Sequence, residues 1–174
     1  MDAGAAPTRA SCAAPGGGRT TQGPGRVSVR IYLLCTSRLR AVTRAVRLAD
    51  NLRPSMKPTP DQVAAALLEQ LQQTSREEAD AGFTSAVSDT LTVSRPAQGD
   101  PDGTLRLSVA PAELLPGALA QIICTYADTR ATRGRAKVML AGPDPDADPV
   151  RSYACTDELR DRPGSAVGSG VEAH

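Results

Sequence analysis

The sequence predicts a mixed α/β or α+β domain, a small sheet with two helices packed on one face. Three observations predict it. Apolar residues alternate with period two from Val27 to Cys35. Two later segments, near residues 60–73 and 117–129, carry apolar stripes at helical spacing. Between them, two short alternating runs flank Asp102-Gly103, a strong hairpin-turn signal.

Each element has its own warrant. Residues 1–26 are rich in Gly, Pro, Ala, Ser and Thr, lack any apolar period and cannot repay the entropy of ordering, so they read as a disordered linker. Order is expected from Val27, the domain spanning 27–156. Val29, Ile31, Leu33 and Cys35 share one strand face, which puts Cys35 in the core. Residues 37–50 are ambiguous: Leu39, Val42, Val46 and Ala49 sit at helical spacing, yet a strand would place Arg40, Val42, Arg44 and Val46 on one side. Periodicity alone leans to helix.

Pro54 and Pro58 mark a loop. Thr59-Pro60-Asp61-Gln62 then starts a helix, with a capping Thr, Pro at the first helical position and Gln62 completing a capping box. Val63, Leu67, Leu68 and Leu71 form its apolar face. Residues 76–81 read as a polar segment that Gly82 breaks. Strands are expected over about 90–95 and 105–109. The second helix follows Pro116-Gly117, with Leu119, Ile122, Ile123 and Tyr126 as its stripe. Short strands are expected at 137–140 and 150–154, and residues 157–174, Gly/Ser-rich toward the end, are expected to fray as a disordered tail.

Composition narrows the function classes. The single histidine is His174, the last residue, so no internal imidazole can act as general base, proton shuttle or metal ligand. The aromatic residues are Tyr32, Phe83, Tyr126 and Tyr153, with no Trp. Net charge is +1, which provides no long-range field toward nucleic acid, and few aromatics could stack bases. No nucleic-acid partner, no cofactor, no metal and no catalysis are therefore expected. No stretch approaches the ~20 apolar residues of a membrane span, and the first residues lack the basic and apolar regions of a signal peptide. Read with Met1 as the true start, the chain is cytoplasmic.

The pattern resembles the GerMN domain, also called the sporulation and spore germination domain, over roughly residues 28–142. The resemblance rests on the opening run Val29-Arg30-Ile31-Tyr32-Leu33-Leu34, a second strand around Leu39 and Arg44, and the Ala/Leu-rich helix from Val63 to Leu71. Glu78, Gly82, Phe83, Thr84 and Ser85 fit a following family element. Ala118-Leu119-Ala120-Gln121-Ile122-Ile123-Cys124-Thr125-Tyr126 resembles the family's Ala-x-x-Gln-Ile-Val-x-Thr stretch. The family's Gly-Pro-Thr is replaced by Gln73-Thr74-Ser75, which implies a different turn. The resemblance tips residues 38–46 from helix to strand.

It also implies a non-catalytic binding or scaffolding module of a bacterial envelope, often a lipoprotein, with roles in sporulation, germination or beside an envelope sensor kinase. A protein or cell-wall partner is the expectation. Actinobacterial relatives carry a signal peptide, a lipobox cysteine and a Gly/Pro/Thr-rich tether, and Asp2–Thr21 is similar to such a tether. Membrane attachment is then expected only through a lipid anchor upstream of Met1, an internal or misassigned start. Cys12 is not that lipobox, because Arg9-Ala10-Ser11 precedes it.

In an exported chain, Cys124 in the second helix and Cys155 after the last strand are expected to pair. The closed loop of about 30 residues would contribute about 3–4 kcal/mol in the entropic model. Cys35 is expected to stay buried and reduced. Arg38, Arg40 and Arg44 would share a strand face as a basic binding patch for anionic polymers. Other constellations read as ordinary surface. Asp144, Asp146 and Asp148 space like a calcium loop, but Pro149 replaces the required Gly and Cys155 occupies the twelfth place. Glu77, Glu78 and Asp80 read as a solvated face. A Ser-Lys pair would need Lys57 or Lys137, neither in a recognisable motif.

Overall fold

The computed structural model describes residue 12 and residues 26–47, 59–128 and 137–172. The chain opens on a long antiparallel hairpin, β1 (Arg26–Cys35) and β2 (Arg38–Arg47), in register from Cys35↔Arg38 to Arg26↔Arg47. Residues 38–47 are thus a strand; the helical spacing of their apolar residues is incidental. Thr36 and Ser37 form the two-residue turn with φ of 48° and 65°, the positive values that a primed hairpin turn requires.

Helix α1 (Pro60–Leu71) begins as its sequence predicts, Gln62 Oε1 accepting from the Thr59 N–H at 2.9 Å. It buries Ala64, Leu67, Leu68 and Leu71. A single-turn helix, α2 (Arg76–Asp80), occupies the segment read as merely polar. Its warrant is a second capping box: Ser75 Oγ accepts from Glu78 N–H, and Glu78 Oε1 accepts from Ser75 N–H. β3 (Phe83–Thr84) pairs with the turn end of β1, completing a sheet of order β2-β1-β3.

The predicted hairpin forms as β4 (Val93–Ser94) and β5 (Leu105–Leu107). From β5 the chain passes through a 3-10 turn and helix α3 (Pro116–Ala127) to β6 (Lys137–Ala141), parallel to β5. β7 (Arg151–Ala154) and β8 (Val171–Glu172) add antiparallel strands, giving a second sheet of order β4-β5-β6-β7-β8. The fold is α+β, with two sheets among the described residues rather than one.

Helix α3 is the centre of the core. Every residue from Ala118 to Tyr126 is buried, well beyond the predicted stripe, and the helix packs on β1, β6, β7 and α1. The expected disordered tail is corrected: residues 157–172 carry α4 (Asp157–Asp161), a 3-10 turn at Pro163–Ala166 and β8. Leu159 and Ala166 are core residues; α4 packs against β2 and α3, and the 3-10 turn against α3 and α4. Two apolar anchors and the bond at Cys155 outweigh the segment's Gly/Ser content. The predicted linker lies outside the described residues except at Cys12 and Arg26. No helix among the described residues is long and apolar enough to cross a membrane.

Candidate functional site

The four cysteines form two bonds. Cys124, fully buried in α3, joins Cys155 just after β7, with Cα atoms 4.8 Å apart. The tail is thereby pinned to the central helix at the point where it leaves the sheet. The second bond corrects the expectation for Cys35, which is joined to Cys12 rather than reduced (Cα–Cα 5.8 Å). Cys35 ends β1 beside the Thr36-Ser37 turn. The Cys12 N–H donates to Ala81 O at 3.2 Å, which places this point of the predicted linker against the α2–β3 junction. Spacing along the chain could not show this, because the approach of residue 12 to residue 35 is a tertiary event.

The predicted basic patch is divided. Arg38 and Arg40 are exposed. Arg44 instead folds inward, its side chain 14% exposed, and forms a forked ion pair with Glu78. Its remaining N–H groups donate to Gln70 O, Gln70 Oε1 and Gln73 O, the carbonyls at the end of α1. Arg44 is therefore a strut between β2, α1 and α2. Burial alone would raise the pKa of Glu78. The hydrogen bonds from Arg44 and Ser75, with the Arg44 charge, outweigh it and hold the carboxyl below its usual range. Glu78 is buried and paired, which corrects the reading of residues 77–80 as a solvated face; Glu77 and Asp80 do remain exposed.

A second buried pair went unread in the sequence. Arg106 of β5 meets Asp100 in a fork with both distances 2.7 Å. Arg106 also donates to Gly142 O at 2.7 Å, tying the hairpin tip to the end of β6. Asp100 in turn accepts from the Ala97 N–H. The Arg106 hydrogen bonds, against the cost of burial, lower the pKa of Asp100. Gly142 is needed at this crossing: a Cβ there would lie 2.9 Å from Ala110 Cα and 2.6 Å from the Asp148 carboxyl. The only sequence signal for Arg106 was a charged residue between two apolar strand positions.

The surface clefts formed by described residues include two open ones. One, of about 340 Å³, is lined by the start of α1, Arg95 and residues 102–105, with the exposed Arg95 3.6 Å from Asp61. The other lies between β7 and the 157–169 segment. Its hydroxyls are engaged in local turns: Thr156 accepts from Leu159 N–H, Ser165 donates to Arg162 O, and Ser169 donates to Ala166 O. The acidic run 144–148 closes on itself, with Asp144 Oδ1 accepting from Asp146 N–H and Asp148 Oδ2 from Asp144 N–H. No cluster of three or more metal-ligating residues occurs among the described residues.

The residues behind the family resemblance have structural work to do. Gln121, fully buried, donates to Tyr32 O and accepts from Ala86 N–H at 2.8 Å; Thr125 Oγ1 accepts from Tyr32 N–H at 3.0 Å. One turn of α3 thus supplies both hydrogen bonds that a neighbouring strand would give Tyr32. Comparison of the chain with protein-family models, curated proteins and solved structures finds no match.

Proposed function

We propose that this chain is a non-catalytic binding or scaffolding module that works outside the cytoplasm, tethered to the cell envelope. The observation that carries this reading is the cysteine pairing. All four cysteines are bonded, Cys12 to Cys35 and Cys124 to Cys155, and such bonds persist in oxidising compartments. The first bond joins a Gly/Pro-rich segment similar to a lipoprotein tether to the start of the folded domain. The engagement of Arg44, Glu78, Asp100 and Arg106 in structural pairs supports a binding role over a catalytic one. Sporulation, germination and association with an envelope sensor kinase are the roles that the GerMN resemblance implies, with a protein or cell-wall polymer as partner.

The test is to recover native protein from cell fractions and measure its intact mass with and without reductant. A membrane-associated, N-terminally extended, lipid-modified chain that gains four hydrogens on reduction is expected. A cytosolic chain starting at Met1 with four reactive thiols would overturn the proposal.

A further inference from the structure

Among the described residues, the β2 edge of the first sheet has no partner strand. In a hairpin with a two-residue turn the flanking residues, here Cys35 and Arg38, exchange hydrogen bonds, and alternate pairs along the ladder do likewise. Arg38, Arg40, Val42 and Arg44 therefore bond inward to β1, while Ala41, Thr43 and Ala45 aim their N–H and C=O groups outward. Tyr32 provides an independent check. It lies opposite Ala41, and its N–H and C=O turn away from β2 to meet Thr125 and Gln121. Ala41, Thr43 and Ala45 are exposed, and no hydrogen bond among the described residues reaches their outward groups. On the other side of the sheet, α3 has taken the place of a strand; α4 packs against β2, but among the described residues it makes no hydrogen bond to the outward groups of this edge.

We propose that the β2 edge between Arg38 and Ala45 is a docking site for an extended acidic segment of a partner protein, which adds as a further strand. Charge selects the occupant. Arg38 and Arg40 are exposed beside this edge, and neither has an ion-pair partner among the described residues. Acidic side chains at alternate positions of an incoming strand would stand beside these two guanidinium groups. A second copy of the chain would instead bring the same arginine-bearing edge against itself, an unfavourable pairing of like charges. On the other face of the edge, the side chains of Ala41, Thr43 and Ala45 are small and exposed. This deepens the binding-module reading and rests on it.

The test uses the oxidised chain with a short peptide of alternating Glu and Val, and its Lys/Val counterpart, followed by amide NMR and exchange. The acidic peptide is expected to bind and to slow exchange at Ala41, Thr43 and Ala45. Thr43→Pro removes only an outward N–H and is expected to weaken binding about tenfold. Arg38→Glu with Arg40→Glu, both at exposed positions, is expected to weaken the acidic peptide about tenfold and to favour the basic one. If Thr43→Pro does not fold, the charge-reversed pair decides alone.

No binding, or peptide binding that the substitutions leave unchanged, would overturn the proposal. So would equal binding of polyphosphate with no protection of these amides, which marks a general basic surface. Concentration-dependent protection without peptide would assign the edge to a second copy and overturn it too. Compartment and thiol state are read separately on the native protein, so failure at this edge leaves the envelope reading standing, and the reverse.

Discussion

Two arginines determine where the charged interior of this molecule lies. Arg44 and Arg106 each meet a carboxylate in a forked pair and spend their remaining donors on backbone carbonyls. Breaking such a pair strands a buried charge. Glu78→Ala, which also removes the carboxylate half of the α2 capping box, is expected to cost about 3–5 kcal/mol in urea denaturation. Arg44→Met combined with Glu78→Leu should recover much of that loss, since an apolar replacement of both partners leaves no stranded charge. The lowered pKa values of Glu78 and Asp100 make an acid-side prediction. For carboxyls depressed in the folded state, the contribution is complete above the unfolded range, about pH 4–4.5, and is lost as pH falls through the folded values. Urea midpoints measured downward from pH 5 should decline, and Glu78→Gln with Asp100→Asn should flatten that decline. An unchanged acid limb in the double variant would contradict the assignment.

At the scale of elements, the central relation is between α3 and β1. Gln121 and Thr125 stand four residues apart, hence on one helix face, and together satisfy the Tyr32 peptide groups. Gln121→Leu keeps similar bulk but leaves Tyr32 O and Ala86 N–H buried without that partner. A loss of about 2–4 kcal/mol is expected, with faster amide exchange at Ala86. Gln121→Glu can still accept from Ala86 but cannot donate to Tyr32, so its cost should persist at neutral pH. Much at this scale is legible in sequence: the capping box of α1, the hairpin turn at Asp102-Gly103 and the stripe of α3 all lie within one or two turns of chain. The box at Ser75 and Glu78 was equally local, and was obscured by the run of polar residues around it.

For the whole molecule, the Cys124–Cys155 bond links the central helix to the C-terminal segment that packs on α3 and β2. Replacing both cysteines with Ala should lower stability by about 3–4 kcal/mol, as loop-closure entropy for a 31-residue separation gives. The first proteolytic cuts should then fall within 155–172, read by mass spectrometry of limited digests. Cuts spread evenly over the chain would show that the bond stabilises the molecule without holding this segment. The predicted basic patch belongs to this scale as well. Three arginines on one strand face can be counted from alternation, but whether a carboxylate 34 residues away captures one of them depends on packing.

The amino-acid sequence by itself determined the fold class, the position of most helices and strands, and the lack of any internal histidine. These follow from local periodicity, capping and composition, which need no knowledge of distant neighbours. Only the tertiary structure decided that Cys12 bonds to Cys35, that Arg44 turns inward while Arg38 and Arg40 stay out, and that 157–172 joins the core. Each depends on which distant groups meet, and a long-range contact leaves no spacing in the chain from which to read it.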